Sequence, residues 1–139
     1  MEDKSKYLYD KYPELFEGRK LPVTQNLMSF GLPGPGWHNI IEKFCERVSP
    51  LVKDFPENDP LMFMQVKEKF GTLRIYMTHY SEPILEATRE AEEASAVTCE
   101  ECGEPGSWRS DRFWKVTECD SCHSNSARLK RLREWRENI

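Results

Sequence analysis

Four of the five cysteines in this 139-residue chain form two CxxC pairs near its C-terminal end. Cys99 and Cys102 form the first pair, Cys119 and Cys122 form the second, and sixteen residues separate the pairs. This spacing is typical of a zinc site, because each CxxC turns back tightly enough to place both sulfur atoms on one ion. Four thiolates in tetrahedral array leave no coordination position for water. The spacing therefore predicts one structural Zn²⁺ per chain.

Other uses of these cysteines are less favoured by the sequence. A thiol oxidoreductase needs one low-pKa CxxC pair on a βαβ scaffold, and this chain has two pairs without that pattern. His123 directly follows Cys122 and could replace one thiolate as a ligand, although the two pairs already supply four. Cys45 lies on an apolar helical stripe, and we interpret it as a buried packing residue.

The segments around the cysteines predict a hairpin followed by a helix. Residues 107–117, SWRSDRFWKVT, are rich in the aromatic and β-branched side chains that favour strands. Asp120 or Ser121 can cap a helix that continues through 126–138. A cysteine knuckle, a hairpin and a helix in this order resemble a treble-clef zinc finger. The segment 98–139 is therefore expected to be a treble-clef-like zinc module.

The preceding residues predict a small body of helices and one β-hairpin, so the fold class is α+β. Helical periodicity indicates helices over 5–18, 37–53 and 81–98, with an interruption near Pro13 and an N-cap at Ser81. Together with the hairpin they form the predicted domain 1–97, onto which the zinc module packs.

Alternating apolar residues on both sides of a KEKFG connection predict the hairpin, over 61–80. Gly71 is expected to supply the left-handed turn residue. Every second residue should face the core, and this set comprises Met62, Met64, Val66, Leu73, Ile75 and Met77. Three cations on the other face could hold phosphate, although a solvated face is the simpler interpretation. These cations are Lys67, Lys69 and Arg74.

Charge is distributed unevenly along the chain. Residues 1–106 have 12 basic and 19 acidic side chains, a net of −7, whereas 107–139 have 8 and 5, a net of +3; the sum is the formal −4. A protein that is negative overall is not attracted to nucleic acid as a whole, so only its C-terminal end could be. That end could equally pair with the acidic helix of the same chain.

Two candidate partner surfaces follow from this distribution. One is basic and aromatic and resembles a nucleic-acid surface; it comprises Arg109, Arg112, Trp114, Arg128, Lys130 and Arg131. The other is the carboxylate face of the predicted helix 81–98; it comprises Glu86, Glu90 and Glu93. Both are candidates for contact with a protein.

The sequence contains no evident catalytic constellation. An HNH-type nuclease also uses a treble clef but needs a histidine base on the hairpin, and 107–117 contain no histidine. His38 and His79 are interpreted as structural or solvent-facing. The N-terminal residues lack the apolar stretch of a signal peptide, and no run approaches the length of a membrane span. We therefore expect a soluble, non-enzymatic protein of the cytoplasm.

Several phrases, in this order, resemble a family of small phage and prophage proteins. They are YLYDKYPELFEGR, GWHNII, QVKEKFGTLRIY, TCEECGEPG and CDSC. The stretch DRFWKVTECDSC departs from the resemblance, since a Gly-Gly-Trp-like turn is expected before the second pair. The resemblance implies a protein that binds and inhibits or redirects a host protein, such as an anti-CRISPR-like inhibitor of a defence nuclease. A nucleic-acid-binding regulator that uses the basic C-terminal helix is the alternative, and an HNH-like nuclease comes third.

Overall fold

The computed structural model describes residues 1–110 and 115–125. Within these ranges the chain forms four α-helices and two antiparallel sheets of two strands each, which confirms the α+β class. The helices are α1 (Ser5–Lys11), α2 (His38–Val48), α3 (Glu82–Ser95) and α4 (Asp120–Asn125). The strands are β1 (Phe63–Lys69), β2 (Thr72–Met77), β3 (Ser107–Arg109) and β4 (Val116–Glu118). The predicted helical residues 126–138 lie outside the described residues.

The first two helices are shorter than their apolar periodicity suggests, because proline follows each of them. Helix α1 ends at Lys11, two residues before Pro13, and a short 3₁₀ turn at Glu17–Lys20 comes later. Helix α2 ends at Val48, and Pro50 lies in the first turn of the 3₁₀ helix Ser49–Asp54. Proline lacks the N–H that would continue the α-helical ladder.

The β1–β2 hairpin is confirmed, but the predicted burial of Met62 and Met64 is wrong. Phe63 and Val66 are the buried residues of β1, whereas both methionines are partly exposed. A β-bulge between Phe63 and Gln65 shifts the register. Before the bulge the odd-numbered residue Phe63 therefore faces the core, in place of Met62 and Met64. On β2, Leu73, Ile75 and Met77 are buried as expected.

Loop residues from another part of the chain hold this bulge. The Asn26 side chain is buried and donates from Nδ2 to the Phe63 carbonyl at 2.9 Å. The Leu27 N–H donates to the Met64 carbonyl at 3.0 Å. These bonds satisfy carbonyl groups near the bulge through residues distant in sequence.

Helices α2 and α3 pack against each other, and α3 also packs beside β2. Ile84, Ala87 and Ala91 form the buried stripe of α3. Ser81 occupies the N-cap position, but its side chain makes no capping hydrogen bond. At the other end of the helix the Ser95 hydroxyl accepts from the Leu73 N–H at 2.8 Å, which attaches α3 to the edge of β2.

A continuous apolar core joins α1, α2, α3 and the β1–β2 hairpin. Its fully buried members include Trp37, Phe16 and Phe63. Cys45 is also fully buried, as expected for a packing residue, and burial raises the pKa of its thiol. None of the described helices has both the length and the apolar character needed to cross a membrane.

Candidate metal centre

The four predicted cysteine ligands converge on one point. The Sγ atoms of Cys99, Cys102, Cys119 and Cys122 all lie within 4.8 Å of one another. The Sγ atoms of Cys102 and Cys119 are 3.7 Å apart. A tetrahedral site with metal–sulfur bonds of about 2.3 Å has S–S edges of about 3.8 Å, so this separation suits a shared ion. It is far beyond a disulfide bond, and all five cysteines are free.

The first pair lies on a tight knuckle that follows α3. The Cys99 N–H donates to the Glu104 carbonyl at 2.8 Å, and the Gly103 N–H donates to the Cys99 carbonyl at 2.9 Å. Gly103 has a φ of 81°, the left-handed conformation expected for the residue after the second ligand. The knuckle therefore turns both thiols of the pair to the same side.

The second pair lies between β4 and α4. Strand β4 pairs with β3, from Ser107 opposite Glu118 to Arg109 opposite Val116. Cys119 follows β4 directly, and Cys122 lies in the first turn of α4, with its N–H 3.4 Å from the Cys119 sulfur. The described part of this segment thus has the predicted order of knuckle, hairpin and helix.

Protonation of the cluster is controlled by its own neighbours. The N–H of Cys122 lowers the pKa of Cys119 by stabilising its thiolate. Burial, followed by the neighbouring sulfur atoms, raises the pKa of Cys122. Thiolates gathered this closely repel one another, and a bound divalent cation would remove that repulsion. The donor set is soft and all-sulfur, which suits Zn²⁺ and similar metals.

Arg109, which was predicted as a partner contact, forms hydrogen bonds with the residues next to Cys119. Its guanidinium donates to the Glu118 carbonyl at 2.9 and 3.1 Å and to the Asp120 carboxylate at 2.8 Å. The Arg109 hydrogen bond lowers the pKa of Asp120. His123 is buried, with Nδ1 3.5 Å from the Glu118 carboxylate. Arg109 thus contacts the residues on both sides of Cys119.

The glycine-rich loop before α2 packs directly on the first knuckle. The Gly36 N–H donates to the Glu100 carbonyl at 2.7 Å, and the Trp37 indole donates to the Thr98 carbonyl at 2.9 Å. A Cβ on Gly36 would lie 2.1 Å from the Cys99 carbonyl oxygen, so no other residue fits there. The irregular GLPGPG stretch therefore packs closely, backbone to backbone, against the candidate metal centre. The sequence analysis did not predict this contact.

The tip of the β1–β2 hairpin packs on the β3–β4 hairpin. The Thr117 hydroxyl donates to the Gly71 carbonyl at 2.6 Å, and the Trp108 indole donates to the Phe70 carbonyl at 2.8 Å. Because two separate parts of the body contact 98–125, the metal centre is joined to the rest of the fold at two places.

The remaining predicted partner residues lie in different environments. Glu86 and Glu90 both pair with Arg47 of α2. Glu93 is exposed and has no ion-pair partner within 1–110 and 115–125. The other predicted partner residues lie outside the described residues; they are Arg112, Trp114, Arg128, Lys130 and Arg131. Pairing between those C-terminal cations and the acidic helix therefore stays a prediction, as do the surfaces themselves.

No protein-family model, curated protein or solved structure matches this chain. The resemblance to phage proteins therefore stays a prediction carried by the quoted motifs.

Proposed function

We propose that this chain is a non-catalytic zinc protein of phage type that binds a host protein and inhibits or redirects it. One observation supports the non-catalytic part most strongly: the four cysteine sulfur atoms lie within 4.8 Å of one another. Such a set fills a tetrahedral coordination sphere, so neither water nor substrate could reach the metal. The metal would then stabilise the fold and take no part in a reaction.

Zinc is the proposed metal, and a treble clef is the proposed form of the module. Four thiolates at CxxC spacing favour Zn²⁺, a cytosolic metal that does not change oxidation state. The order of knuckle, β3–β4 hairpin and α4 is that of a treble clef. The helical continuation beyond Asn125 is part of the same proposal.

The zinc proposal is tested by metal analysis of the reduced, full-length protein. We expect about one zinc per chain, and the visible absorption of tetrahedral Co²⁺–thiolate when cobalt replaces it. Cys102→Ser should lose the metal, whereas Cys45→Ala and His123→Asn should retain it. Loss of the tetrahedral cobalt spectrum in His123→Asn would show instead that the histidine is a ligand.

A protein partner is proposed because the chain is acidic and its motifs resemble phage proteins. The proposed action is to cover a functional surface of the host protein, and a defence nuclease, CRISPR nucleases included, is the favoured class. The acidic helix is the proposed contact. Its carboxylates Glu82 and Glu93 are exposed, and neither has an ion-pair partner in the described part of the chain.

The partner proposal is tested with tagged, zinc-loaded protein in a lysate of a bacterial host. We expect one host protein to co-purify at equal stoichiometry and to lose its activity when the complex forms. A Glu82→Lys, Glu93→Lys variant should lose the complex, while Glu57→Lys, an exposed reversal outside α3, should keep it. An active host protein within the complex, or no stoichiometric partner at all, would refute the inhibitor proposal.

A further inference from the structure

The turn of the β1–β2 hairpin contains an aromatic residue, Phe70, that does not suit the turn conformation and is not buried in the core. Lys69 pairs with Thr72, so Phe70 and Gly71 form a two-residue connection with φ values of 53° and 84°. This is the geometry of a type I′ turn, whose first position favours asparagine or glycine. Phe70 is the only non-glycine residue with positive φ in the described part of the chain.

The Phe70 ring also contributes little to the core, because 65% of the residue is exposed to solvent. An aromatic residue in the left-handed region is conformationally disfavoured, and an exposed ring recovers little of that cost by burial. Residues held in such conformations cluster at functional sites. Phe70 is therefore a candidate for surface contact with a ligand.

Two more exposed aromatic rings belong to the same region, Trp108 at the hairpin tip and Tyr76 farther along β2, and each of the three has a lysine beside it. We call this set the aromatic–lysine surface; it comprises Phe70, Tyr76, Trp108, Lys67, Lys69 and Lys115. The ammonium groups lie 5.8 to 5.9 Å from the ring centroids, Lys69 with Phe70, Lys67 with Tyr76 and Lys115 with Trp108. Exposed fractions of Tyr76 and Trp108 are 38% and 49%.

The members of this surface are contiguous. Lys67 and Lys69 of β1 and Tyr76 of β2 share the face of the hairpin opposite the buried pair Val66 and Ile75. The Trp108 indole reaches the tip by donating to the Phe70 carbonyl. That bond attaches the Trp108 ring to the turn, so its position does not depend on a ligand.

The local charge of the surface is positive although the chain is acidic. None of its three lysines has a salt bridge to a carboxylate within the described residues. Glu68, the acidic residue between Lys67 and Lys69, turns back and accepts from the Gly71 N–H at 2.7 Å. Within the described residues, no carboxylate therefore neutralises the three lysine charges.

This composition favours a single-stranded nucleic acid over other ligands. Single strands are bound by exposed rings on which bases stack, combined with cations that follow the backbone. Lysine is depleted from protein–protein interfaces, which argues against a protein as the ligand of this surface. Bases in a duplex are already stacked on one another and cannot cover the three rings.

We infer that the aromatic–lysine surface binds a single-stranded nucleic acid, with bases stacked on Phe70, Trp108 and Tyr76 and phosphates beside the three lysines. This inference goes beyond the proposed protein partner and does not rest on it. RNA and single-stranded DNA share the chemistry recognised here, and the experiment separates them.

The test is fluorescence anisotropy of labelled oligonucleotides of about ten residues, a length within the usual single-strand site size, with full-length zinc-loaded protein. Oligothymidylate, oligouridylate and a duplex of equal length are the three probes. We expect at least one single strand to bind about tenfold more tightly than the duplex. Equal or tighter binding of the duplex, or no binding of either single strand at low salt, would overturn the inference.

Phe70→Asn is the decisive variant, because its effects on stability and binding should have opposite signs. Asparagine before glycine suits the type I′ turn, so the Tm should stay equal or rise. Loss of one stacking ring should weaken single-strand binding by about tenfold. Unchanged binding by Phe70→Asn would overturn the inference, and its Tm shows that a loss is not a folding defect.

Charge-reversal variants provide a second test of the inference, together with its control. Lys69→Glu should weaken binding and lower the slope of log K against log salt by at least about 0.7, whereas Lys53→Glu, an exposed lysine outside the surface, should change neither. Binding that survives Phe70→Asn and Lys69→Glu but is lost in Arg131→Glu would assign the nucleic acid to the C-terminal segment instead. Polyglutamate that competes as well as the oligonucleotide would reduce the surface to a general anion site and refute base stacking.

Discussion

At the residue scale, His38 is a buried group whose ring is fully used in hydrogen bonding. Its Nδ1 accepts from the Lys4 N–H at 3.0 Å, and its Nε2 lies 3.1 Å from the Pro33 carbonyl. These partners require a neutral ring with its proton on Nε2. Burial lowers the pKa of His38, with smaller opposing contributions from the Pro33 carbonyl and Asp3. The residue joins the N-terminal arm to the loop before α2.

This environment predicts a specific loss of stability in acid. The folded-state pKa lies below the unfolded value of about 6.5, so the stabilisation is complete above that pH and is lost as pH falls. We expect the urea midpoint to drop between pH 7 and 5 more steeply in the wild type than in His38→Gln. Comparison with the variant removes the acid sensitivity of the cysteines, which both proteins share. Equal slopes in the two proteins would contradict this assignment.

A second prediction at the residue scale concerns Gly36. Alanine there would press its Cβ into the backbone of Cys99 and Glu100, and backbone atoms cannot rotate away. Gly36→Ala should therefore lower the free energy of unfolding by about 1–3 kcal/mol or more. Pro35→Ala, one residue earlier, should cost less than about 1 kcal/mol. Urea titrations of the zinc-loaded proteins compare the two, and equal costs would show that the loop can move away from the knuckle.

At the element scale, the features that the sequence predicted correctly depend on local spacing. Spacing between residues that are close in sequence predicts the cluster of four cysteines and the burial of Cys45. It also predicts the left-handed conformation of Gly71. Met62 and Met64 were assigned to the wrong face because Asn26 and Leu27, nearly forty positions earlier, hold the bulge that changes the alternation. Gly36 and Cys99, which are in contact, are likewise far apart in sequence. The periodicity of a segment carries no information about such long-range partners.

The packing of α2 on α3 illustrates which interactions stabilise an element. Arg47 pairs with Glu86 and Glu90, but these carboxylates are more than half exposed, and such pairs contribute less than about 1 kcal/mol. Ile84 is fully buried. Ile84→Ala should therefore lower the free energy of unfolding by about 2–5 kcal/mol, against less than about 1 kcal/mol for Arg47→Ala. Chemical denaturation measures both, and a larger effect for Arg47→Ala would mean that the ion pairs dominate.

At the scale of the whole molecule, the cysteine cluster and the body contact each other at two places. The Trp37 indole and the Gly36 N–H bind carbonyls of the first knuckle, and Gly71 accepts from Thr117 beside the second pair. Structural zinc contributes of order 10 kcal/mol to small modules of this kind. Metal binding should therefore order the loop 33–37 and the hairpin tip as well as the cysteine segment.

Chelation of the metal should accordingly have effects beyond the residues that bind it. In hydrogen–deuterium exchange followed by mass spectrometry, we expect loss of protection over 98–110 and 115–125, and also over 33–37 and 69–72. The inner residues of α2 and α3 should keep their protection, because none of the described residues of the cysteine segment belongs to their apolar core. Cys102→Ser should reproduce the pattern without chelator, and Cys45→Ala should show it only when chelator is added. Protection over 33–37 that survives metal loss would mean that the loop folds independently, and the zinc would then stabilise only its own module.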